Sequence, residues 1–250
     1  MVAALRAAGC VFAEDEAALL QQAAGDRGEL AELVRQRVTG LPLEQVLGWA
    51  QFCGLRISVA PGVFVPRRRT EFLAEQAIAL TSPGSVVVEL CCGAGAVAAA
   101  VLAARPDVEL HAADVDPAAV ACAAANLPGA ASVARGDLYF ALPARLRGRV
   151  EVLVANAPYV PTGEVGLMPP EARLHEPAVA LDGGADGLAV QQRVAADAPQ
   201  WLAPGGTVLI ETSRRQAPHT AELLTAAGLV SRVRHCEERD ATVVSGSAPS

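Results

Sequence analysis

The stretch VVVELCCGAGAV, residues 86–97, decides the fold of this 250-residue chain. Its first five residues predict a buried strand, and the alanine-rich run at 95–105 predicts a helix that follows almost at once. Gly93 and Gly95 fall in the connecting turn, where glycine lets a ligand approach the backbone and the helix N-terminus favours negative or polar groups. The stretch therefore predicts a ligand-binding strand–turn–helix unit within an α/β domain.

Outward from this unit, strands continue to alternate with helices. Apolar runs predict strands at 108–115, 150–155 and 206–212, another before Asp137, and an antiparallel pair at 229–236 and 241–246. Helices are predicted at 117–127, near 216–227, and from Thr70, as the N-cap, to about residue 80. This alternation is typical of a mainly parallel sheet with helices on both faces. We therefore expect a Rossmann-like α/β fold with a seven-stranded sheet.

The first 66 residues follow a different pattern. Residues 2–38 predict short helices, and GWAQFCGLRISVAPGVFVP at 48–66 predicts a β-hairpin followed by a further short strand. We divide the chain into a helical N-terminal region with a hairpin, residues 1–66, and a sheet domain, residues 67–250. Within the latter, a long segment at 161–188 is rich in proline, glycine and acidic residues. It is either functional or a surface insertion.

Composition narrows the classes of function. Hydrophobic residues make up 52% of the chain, which supports a large core, but no apolar run is long enough to span a bilayer. Arg6 and the acidic residues after it break the signal-peptide pattern, so we expect a cytoplasmic protein. The six cysteines lack metal-binding spacing, and no metal site is predicted. The net charge of −7 argues against nucleic acid as a partner, although Arg67–Arg69 forms a local basic patch.

The glycine turn indicates a ligand that contains adenosine. Asp114 ends the second strand of the sheet domain, 19 residues after Gly95, where an acid typically binds ribose hydroxyls. Glycines at a helix start followed by such an acid form a moderately specific set. The spacing Gly93-x-Gly95-x-x-Ala98 also fits a dinucleotide, so these residues alone leave the ligand open.

Two further acidic residues favour S-adenosylmethionine. Glu89 lies at the carboxyl end of the first strand, where a carboxylate would repel a pyrophosphate but suits a cationic methionyl amine. Asp137 follows the third strand and is placed to meet the adenine amino group, with Leu138 packing on the ring. We therefore predict S-adenosylmethionine as the cofactor.

A second site follows the fourth strand, at Asn156-Ala157-Pro158-Tyr159. The Asn156 side chain offers one carbonyl acceptor, the backbone of Ala157 offers another, and Pro158 favours an extended conformation at the residue before it. Tyr159 supplies a flat face. Two acceptors and a ring fit a planar NH2 group, which is either an amide or the exocyclic amine of a base. Fixed acceptors would orient the nitrogen and stabilise the positive charge that grows on it.

These motifs together resemble the protein-(glutamine-N5) methyltransferases, which modify bacterial peptide chain release factors. The cofactor loop of that family matches Glu89–Gly95, its ribose acid matches Asp114, and its Asn-Pro-Pro-Tyr motif matches Asn156–Tyr159. Further matches are PLEQVLGWAQFCGLRISVAPGVFVPR, HEPAVALDGGADGL and LAPGGTVLIE. The resemblance implies a class I S-adenosylmethionine-dependent methyltransferase that methylates a glutamine on a mobile protein loop, such as the Gly-Gly-Gln loop of a release factor.

The resemblance also implies roles for individual residues. Catalysis is assigned to Asn156, Pro158 and Tyr159, and substrate binding to these three together with Ala157. The cofactor-binding residues are expected to be Glu89, Cys91, Cys92, Gly93, Ala94, Gly95, Asp114, Asp137, Leu138 and Asn156. We expect the N-terminal region, the hairpin and the 161–188 segment to dock the substrate.

Several positions depart from the family pattern. Cys91 stands where many relatives have glycine, Ala157 replaces a proline, and Arg68 and Arg69 replace a proline and an acid. The arginines at 67–69 either meet acidic groups on the partner or form a solvated helix cap. Two alternatives to glutamine methylation stay open. One is N6-adenine methylation of nucleic acid, because the same motif accepts any planar amine, and the other is a cofactor-binding homologue without catalysis.

Overall fold

A seven-stranded sheet organises the computed structural model, which describes residues 1–127, 129 and 131–250. The strands are β1 Trp49–Phe52, β2 Leu55–Ser58, β3 Val86–Leu90, β4 Glu109–Asp114, β5 Ala131–Arg135, β6 Val150–Ala155, β7 Leu202–Thr212, β8 Val230–Cys236 and β9 Ala241–Ser247. β1 and β2 form a separate hairpin. The other strands lie in the order β5-β4-β3-β6-β7-β9-β8, with β9 antiparallel to both of its neighbours and the other pairs parallel. The predicted sheet is confirmed.

Helices cover both faces of this sheet and form the N-terminal region. They are α1 Val2–Ala7, α2 Ala13–Ala23, α3 Arg27–Val38, α4 Leu43–Leu47, α5 Glu71–Leu80, α6 Ala96–Ala104, α7 Pro117–Asn126, α8 Pro170–His175, α9 Ala178–Leu181, α10 Ala189–Trp201 and α11 Ala217–Ala226. The sequence patterns did not single out α10, which contains Pro199 and mixes apolar with polar and charged residues. In the part of the chain that the structure describes, no helix combines the length and apolar character needed to cross a membrane.

The central strands are buried because helices pack on both of their sides. All five residues of β3 are buried, and the β-branched valines at 86–88 fill both faces of the pleat. One apolar cluster joins α5, α6 and α7 to one face, and another joins α10 and α11 to the other. Burial of this apolar surface is the main stabilising contribution to the domain.

The register of the central strands creates a crevice at their carboxyl ends. Leu90 of β3 pairs with Ala113 of β4 on one side and with Ala155 of β6 on the other. The strand order reverses at β3, and in sheets of this kind ligands bind outside the carboxyl ends at such a reversal. The residues that follow these three strands therefore meet in one place.

The N-terminal helices have their own small core, and a buried ion pair joins them to the 161–188 segment. Arg37 in α3 is 6% exposed and contacts Glu16 in α2 at 2.6 Å and Glu171 in α8 at 2.6 Å. The Gln45 amide in α4 donates to the backbone carbonyl of His175 over 3.4 Å. These contacts place the N-terminal helices beside the long segment.

The hairpin packs on the sheet domain. Phe52 and Ile57 belong to the same apolar cluster as α5 and α6. The further short strand expected after the hairpin does not form in residues 59–67, so this prediction is wrong. There the backbone N–H of Val65 donates to the side-chain carboxylate of Glu176 over 3.2 Å instead of to a neighbouring strand. The side chain of Glu176, in the connection between α8 and α9, thus takes the place of a strand partner.

Candidate active site

A cavity of about 330 Å³ opens at the carboxyl edge of the sheet. Its walls come from the residues that follow β3, β4, β5 and β6, from residues 64–70 and from the 161–188 segment. Of the residues predicted to form the site, Gly95 does not line it. The lining includes Glu89, Cys91, Cys92, Gly93, Ala94, Asp114, Asp137, Leu138, Asn156, Ala157, Pro158 and Tyr159. The fold brings both predicted sites into a single cavity.

Glu89 is a buried carboxylate at the end of β3. The residue is 4% exposed, and its side-chain Oε2 accepts a hydrogen bond from the backbone N–H of Ala98 over 2.8 Å. Burial raises the pKa of Glu89 to about 8, although the Ala98 N–H acts in the opposite direction. A buried carboxylate has lost the water that would stabilise its charge, so a bound cation stabilises its charged form strongly.

The glycine turn after β3 leaves space on the cavity side. Gly93 has φ +53°, and a Cβ built on it would meet nothing within 4 Å, so a ligand can reach its backbone. Gly95 also has a positive φ, +74°, but it faces α7, where a Cβ would lie 3.1 Å from atoms of Ala123 and Leu127. Gly95 therefore permits close packing of α6 on α7, and direct contact with a cofactor stays a prediction. Cys91 adopts φ +55°, a conformation that favours glycine.

Asp114 lies at the end of β4 and faces the glycine turn. Its carboxylate accepts hydrogen bonds from the backbone N–H groups of Gly93 and Asp116, each over 2.9 Å. Burial raises the pKa of Asp114, and both N–H donors act against that rise. These bonds fix the carboxylate at the cavity wall, where each oxygen keeps lone pairs for further donors.

Asp137 and Leu138 follow β5 on the adjoining wall. The Asp137 carboxylate, 53% exposed, accepts from Arg193 of α10 over 2.6 Å. Leu138 is 8% exposed and has φ +49°, which turns the chain sharply after the strand. The structure therefore places the predicted adenine contacts at the cavity but adds Arg193, which the sequence analysis did not identify.

The hydrogen-bonding groups in this half of the cavity fit S-adenosylmethionine. Three carboxylates, Glu89, Asp114 and Asp137, stand on successive strands around an open glycine. They match an ammonium group, a pair of hydroxyls and an exocyclic amine respectively. A pyrophosphate would meet the buried Glu89 carboxylate.

The other half of the cavity is formed by Asn156–Tyr159. The Asn156 side-chain Nδ2 donates to the Thr70 hydroxyl over 3.4 Å, while its Oδ1 accepts no hydrogen bond from any described residue. The Ala157 carbonyl likewise accepts none from the described part of the chain. The ring of Tyr159 lies beside them, with its pKa raised by burial and by the Glu211 charge. Two unused carbonyl acceptors next to an aromatic face can receive a planar NH2 group.

Two glycines and an amide from distant segments brace this motif. A Cβ on Gly183 would lie 2.7 Å from the Pro158 carbonyl oxygen, and one on Gly187 would lie 2.3 Å from that of Tyr159. The Gln216 amide donates to the Tyr159 carbonyl over 2.9 Å. The glycines of DGGADGL at 182–188 are therefore needed for close approach to the motif. Their clustering is a sequence signal from which this contact could have been predicted.

Glu211 is a site residue that the sequence analysis missed. It lies near the end of β7, is 1% exposed, and its Oε1 lies 3.4 Å from the Tyr159 hydroxyl and 3.5 Å from Arg69 Nε. Burial raises the pKa of Glu211, and the Arg69 charge and hydrogen bonding from Thr70 and Tyr159 oppose the rise. An acid close to a strand's carboxyl end is the pattern that identified Glu89, and it was available in LIET at 209–212.

The three arginines have different surroundings. Arg67 contacts the buried carboxylate of Glu176 at 2.6 Å, within its own chain, and a contact with acidic groups on a partner stays a prediction. Arg69 lies with its guanidinium carbon 5.8 Å from the centre of the Tyr159 ring. Arg68 is exposed. Two of the three arginines, Arg67 and Arg69, therefore lie beside carboxylates of the same chain, those of Glu176 and Glu211.

The sequence of this chain is similar to those of known methyltransferases. The family model described as "Methyltransferase small domain" matches residues 54–170. Release factor glutamine methyltransferases of Gloeobacter violaceus and Mycolicibacterium smegmatis are 37% and 40% identical to this chain. The alignments cover 79% and 78% of this chain and 71% and 70% of those proteins.

One similar protein is named for a different acceptor, and one solved structure has a similar fold. A protein of Streptomyces pristinaespiralis named 4-amino-L-phenylalanine/4-methylamino-L-phenylalanine methyltransferase is 36% identical, over 78% of this chain and 69% of that protein. The crystal structure of a methyltransferase from Pyrococcus furiosus superposes with a TM-score of 0.60 at 16% identity, covering 79% of this chain and 90% of that one. The latter likeness concerns the fold.

Proposed function

We propose that this chain, which belongs to the release factor glutamine methyltransferase family, methylates a glutamine side-chain amide presented on a mobile loop of a peptide chain release factor. The chain is an S-adenosylmethionine-dependent methyltransferase, as its family is. The observation that supports an amide acceptor is Asn156, whose Nδ2 is held by Thr70 while Oδ1 has no partner among the described residues. A fixed carbonyl at this position suits an N–H donor.

The residues that would hold the cofactor are those of the first half of the cavity. We assign Glu89 to the methionyl amine, Asp114 to the ribose hydroxyls, and Asp137 with Leu138 to the adenine. S-adenosylmethionine, when bound, supplies an electrophilic methyl group on a cationic sulfur. The Gly93 turn, with open space on the cavity side, lets the backbone approach the ligand closely.

The acceptor is held by carbonyl groups. The Asn156 side chain and the Ala157 backbone accept the two N–H groups of the glutamine amide, and Tyr159 packs on its plane. Two fixed acceptors orient the nitrogen and stabilise the positive charge that develops on it. The alkylated amide nitrogen is a strong acid, so its proton leaves to water without a dedicated base.

One glutamine side chain offers too little contact for specificity, so recognition must extend beyond the cavity. We propose that residues 1–66 and the 161–188 segment dock the substrate protein, and that residues 67–250 carry out the transfer. The ion pair of Arg37 with Glu171 and the hydrogen bond from Gln45 to His175 support a joint surface, because they tie the N-terminal helices to that segment. A translation factor as acceptor places the reaction in the cytoplasm.

A labelling experiment tests the acceptor. The enzyme is incubated with S-adenosylmethionine carrying a labelled methyl group and a bacterial release factor, and in parallel with the same factor after Gly-Gly-Gln is changed to Gly-Gly-Ala. Label on the first and none on the second is the expected result. Label on both would place the modified residue elsewhere and contradict the proposed glutamine.

Further samples separate the alternatives. Whole lysate, DNA, RNA and 4-amino-L-phenylalanine are each offered under the same conditions. Label confined to another protein's glutamine would retain the chemistry and reject the release factor. Label on nucleic acid or on the aromatic amine would reject the amide itself. Absence of label from every sample, together with retained cofactor binding, would favour a homologue without catalysis.

A further inference from the structure

The hydroxyl of Thr70 does not cap the helix that it precedes. Thr70 stands at the N-cap of α5, where a threonine usually accepts a hydrogen bond from the backbone N–H of one of the next residues. Its side chain makes no such bond, its φ and ψ of −66° and −15° are helical, and it is 4% exposed. A 3-10 turn at Arg68–Thr70 leads directly into the helix. The predicted N-cap position is confirmed, but the hydroxyl contacts Asn156 instead of capping the helix.

The Thr70 hydroxyl contacts the acceptor motif. It accepts a hydrogen bond from Asn156 Nδ2 over 3.4 Å. Glu211 belongs to the same neighbourhood, because hydrogen bonding from Thr70 opposes the rise that burial causes in the pKa of its carboxyl group. The parallel register pairs Ala155 of β6 with Ile210 of β7, which brings Asn156 and Glu211, the next residues in each strand direction, to the same level of the sheet.

The Glu211 carboxylate has one oxygen in use and one without a partner. Oε1 faces the Tyr159 hydroxyl and Arg69, whereas Oε2 is buried and accepts no hydrogen bond from the residues that the structure describes. A buried carboxylate oxygen without a donor is costly, so a nearby hydroxyl proton is expected to turn towards it. Thr70 is the candidate donor, because it contacts Asn156 at the same level of the sheet as Glu211 and makes no capping bond.

We propose that Glu211 and Thr70 are positioning residues that set the orientation of the Asn156 amide. This inference rests on the proposed function of Asn156 as an acceptor for the substrate amide. A hydroxyl has one proton. When Thr70 gives that proton to Glu211, it can only accept from Asn156, so Nδ2 faces Thr70 and the carbonyl Oδ1 faces the cavity.

The opposite orientation would disable the site. If the Asn156 amide were turned over, its NH2 group would face the NH2 group of the substrate, and two donors would oppose each other. The same carboxylate also holds the Tyr159 hydroxyl, so Glu211 supports two members of the acceptor motif at once. Arg69 compensates the buried charge from the cavity side, at 3.5 Å from Oε1.

Kinetic measurements on matched variants test this arrangement. Thr70→Val keeps the shape but removes the hydroxyl, and Thr70→Ser keeps the hydroxyl. We expect kcat to fall by about tenfold in T70V, as loss of one positioned hydrogen bond would give, with S-adenosylmethionine affinity unchanged and T70S close to wild type. Unchanged cofactor affinity also shows that each variant is folded. Equal kcat values for T70V, T70S and wild type would overturn the proposal.

Glu211→Gln provides an independent variant. Its NH2 group can donate to the Thr70 hydroxyl, which is then free to donate to the Asn156 carbonyl and turn the amide over. We expect kcat to fall at least as far as in T70V, again with little change in cofactor affinity. A normal kcat in E211Q would contradict the role of the carboxylate.

A readout that needs no activity separates this inference from the proposed function. The chain has two asparagines, Asn126 and Asn156, so selective ¹⁵N-asparagine labelling gives two side-chain NH2 groups, assigned with Asn156→Asp. Asn126 donates to the Ser58 and Ala94 carbonyls, each over 2.9 Å, and serves as the internal control. We expect T70V and E211Q to shift the Asn156 NH2 signals and speed their exchange, with T70S and Asn126 unaffected. If the Asn156 signals do not move in T70V and E211Q, the orienting role is wrong even where kcat falls.

Discussion

The two halves of the cavity are held in place by different kinds of contact. In the cofactor half, Glu89 accepts from Ala98, nine residues away, and Asp114 accepts from Asp116 and Gly93, two and 21 residues away. In the acceptor half, Asn156 is held by Thr70, 86 residues away, and Tyr159 by Glu211, 52 residues away. The cofactor half is thus largely a local product of strand and turn, whereas the acceptor half exists only when distant segments have packed.

This contrast has a functional consequence. A cofactor half built at the ends of β3, β4 and β5 can be shared by methyltransferases with different acceptors, because none of the hydrogen bonds that hold its acids involves the acceptor motif. The acceptor half depends on residues 67–70, 182–188 and 211–216, so changes in those segments alter the acceptor without touching the cofactor. Variants in the two halves should therefore separate turnover from cofactor binding.

The largest effect is expected from Asn156→Ala. Removing the carbonyl that receives the substrate amide should lower the methylation rate by about 100-fold or more, because a positioned transition-state partner is lost. Affinity for S-adenosylmethionine should stay nearly intact, since Asn156 is only one of the ten expected cofactor-binding residues and the others keep their side chains. Single-turnover rates with the release factor, measured beside calorimetric cofactor binding, provide the check.

A companion change sharpens the same test. Ala157→Pro restores the proline of the family motif and leaves the backbone carbonyl that we assign to the acceptor, so turnover should be retained. Near-normal turnover in Asn156→Ala, or a loss of cofactor affinity equal to its loss of rate, would show that the two halves are not separable in this way.

An intermediate effect is expected from Asp114→Ala in the cofactor half. The variant loses the acceptors for the ribose hydroxyls, which should weaken S-adenosylmethionine binding by about 1 to 3 kcal/mol. Isothermal titration calorimetry measures this directly, and Asp107→Ala, at an exposed position that does not line the cavity, is the matched control. Unchanged affinity in Asp114→Ala, or tighter binding of NAD than of S-adenosylmethionine by the wild type, would refute the cofactor assignment.

The smallest effect concerns the pH dependence of cofactor binding. Because burial raises the pKa of Glu89 to about 8, this group is largely protonated at neutral pH and must release its proton to meet a cationic amine. Affinity should therefore increase as the pH rises from 6 towards 8, by at most about tenfold per unit. Calorimetry in buffers with different ionisation enthalpies should show proton release on binding.

Glu89 also determines whether the stability of the ligand-free protein rises or falls with pH. The Glu89 carboxyl binds its proton more tightly in the folded chain than in the unfolded one, where its pKa is 4.5. The stability of the ligand-free protein should then fall as the pH rises from about 4.5 through about 8. Glu89→Gln should flatten both profiles, whereas Glu222→Gln, at an exposed position, should leave them as they are. Identical profiles for wild type and Glu89→Gln would exclude Glu89 as the titrating group.

Most of the fold followed from sequence periodicity. The strand at residues 86–90 has the predicted bounds, and so does the strand at 150–155, because each is a short apolar run with a clear turn signal after it. The terminal antiparallel pair is confirmed as well. The extra strand after the hairpin failed because Glu176 took the hydrogen bond that a strand partner would have made, and no local pattern reveals such a competitor.

By itself the sequence determined the sheet, the cofactor half and the motif at residues 156–159, because each depends on residue types within a few positions of a strand end. Only the tertiary structure decided what supports that motif. Thr70 was predicted only as the N-cap of a helix and Arg67 as either a partner contact or a solvated cap, yet the Thr70 hydroxyl contacts Asn156 and Arg67 contacts Glu176. Hydrogen bonds between segments 50 to 90 residues apart form only once the core has brought those segments together, and a buried donor then pairs with whichever acceptor packing leaves beside it.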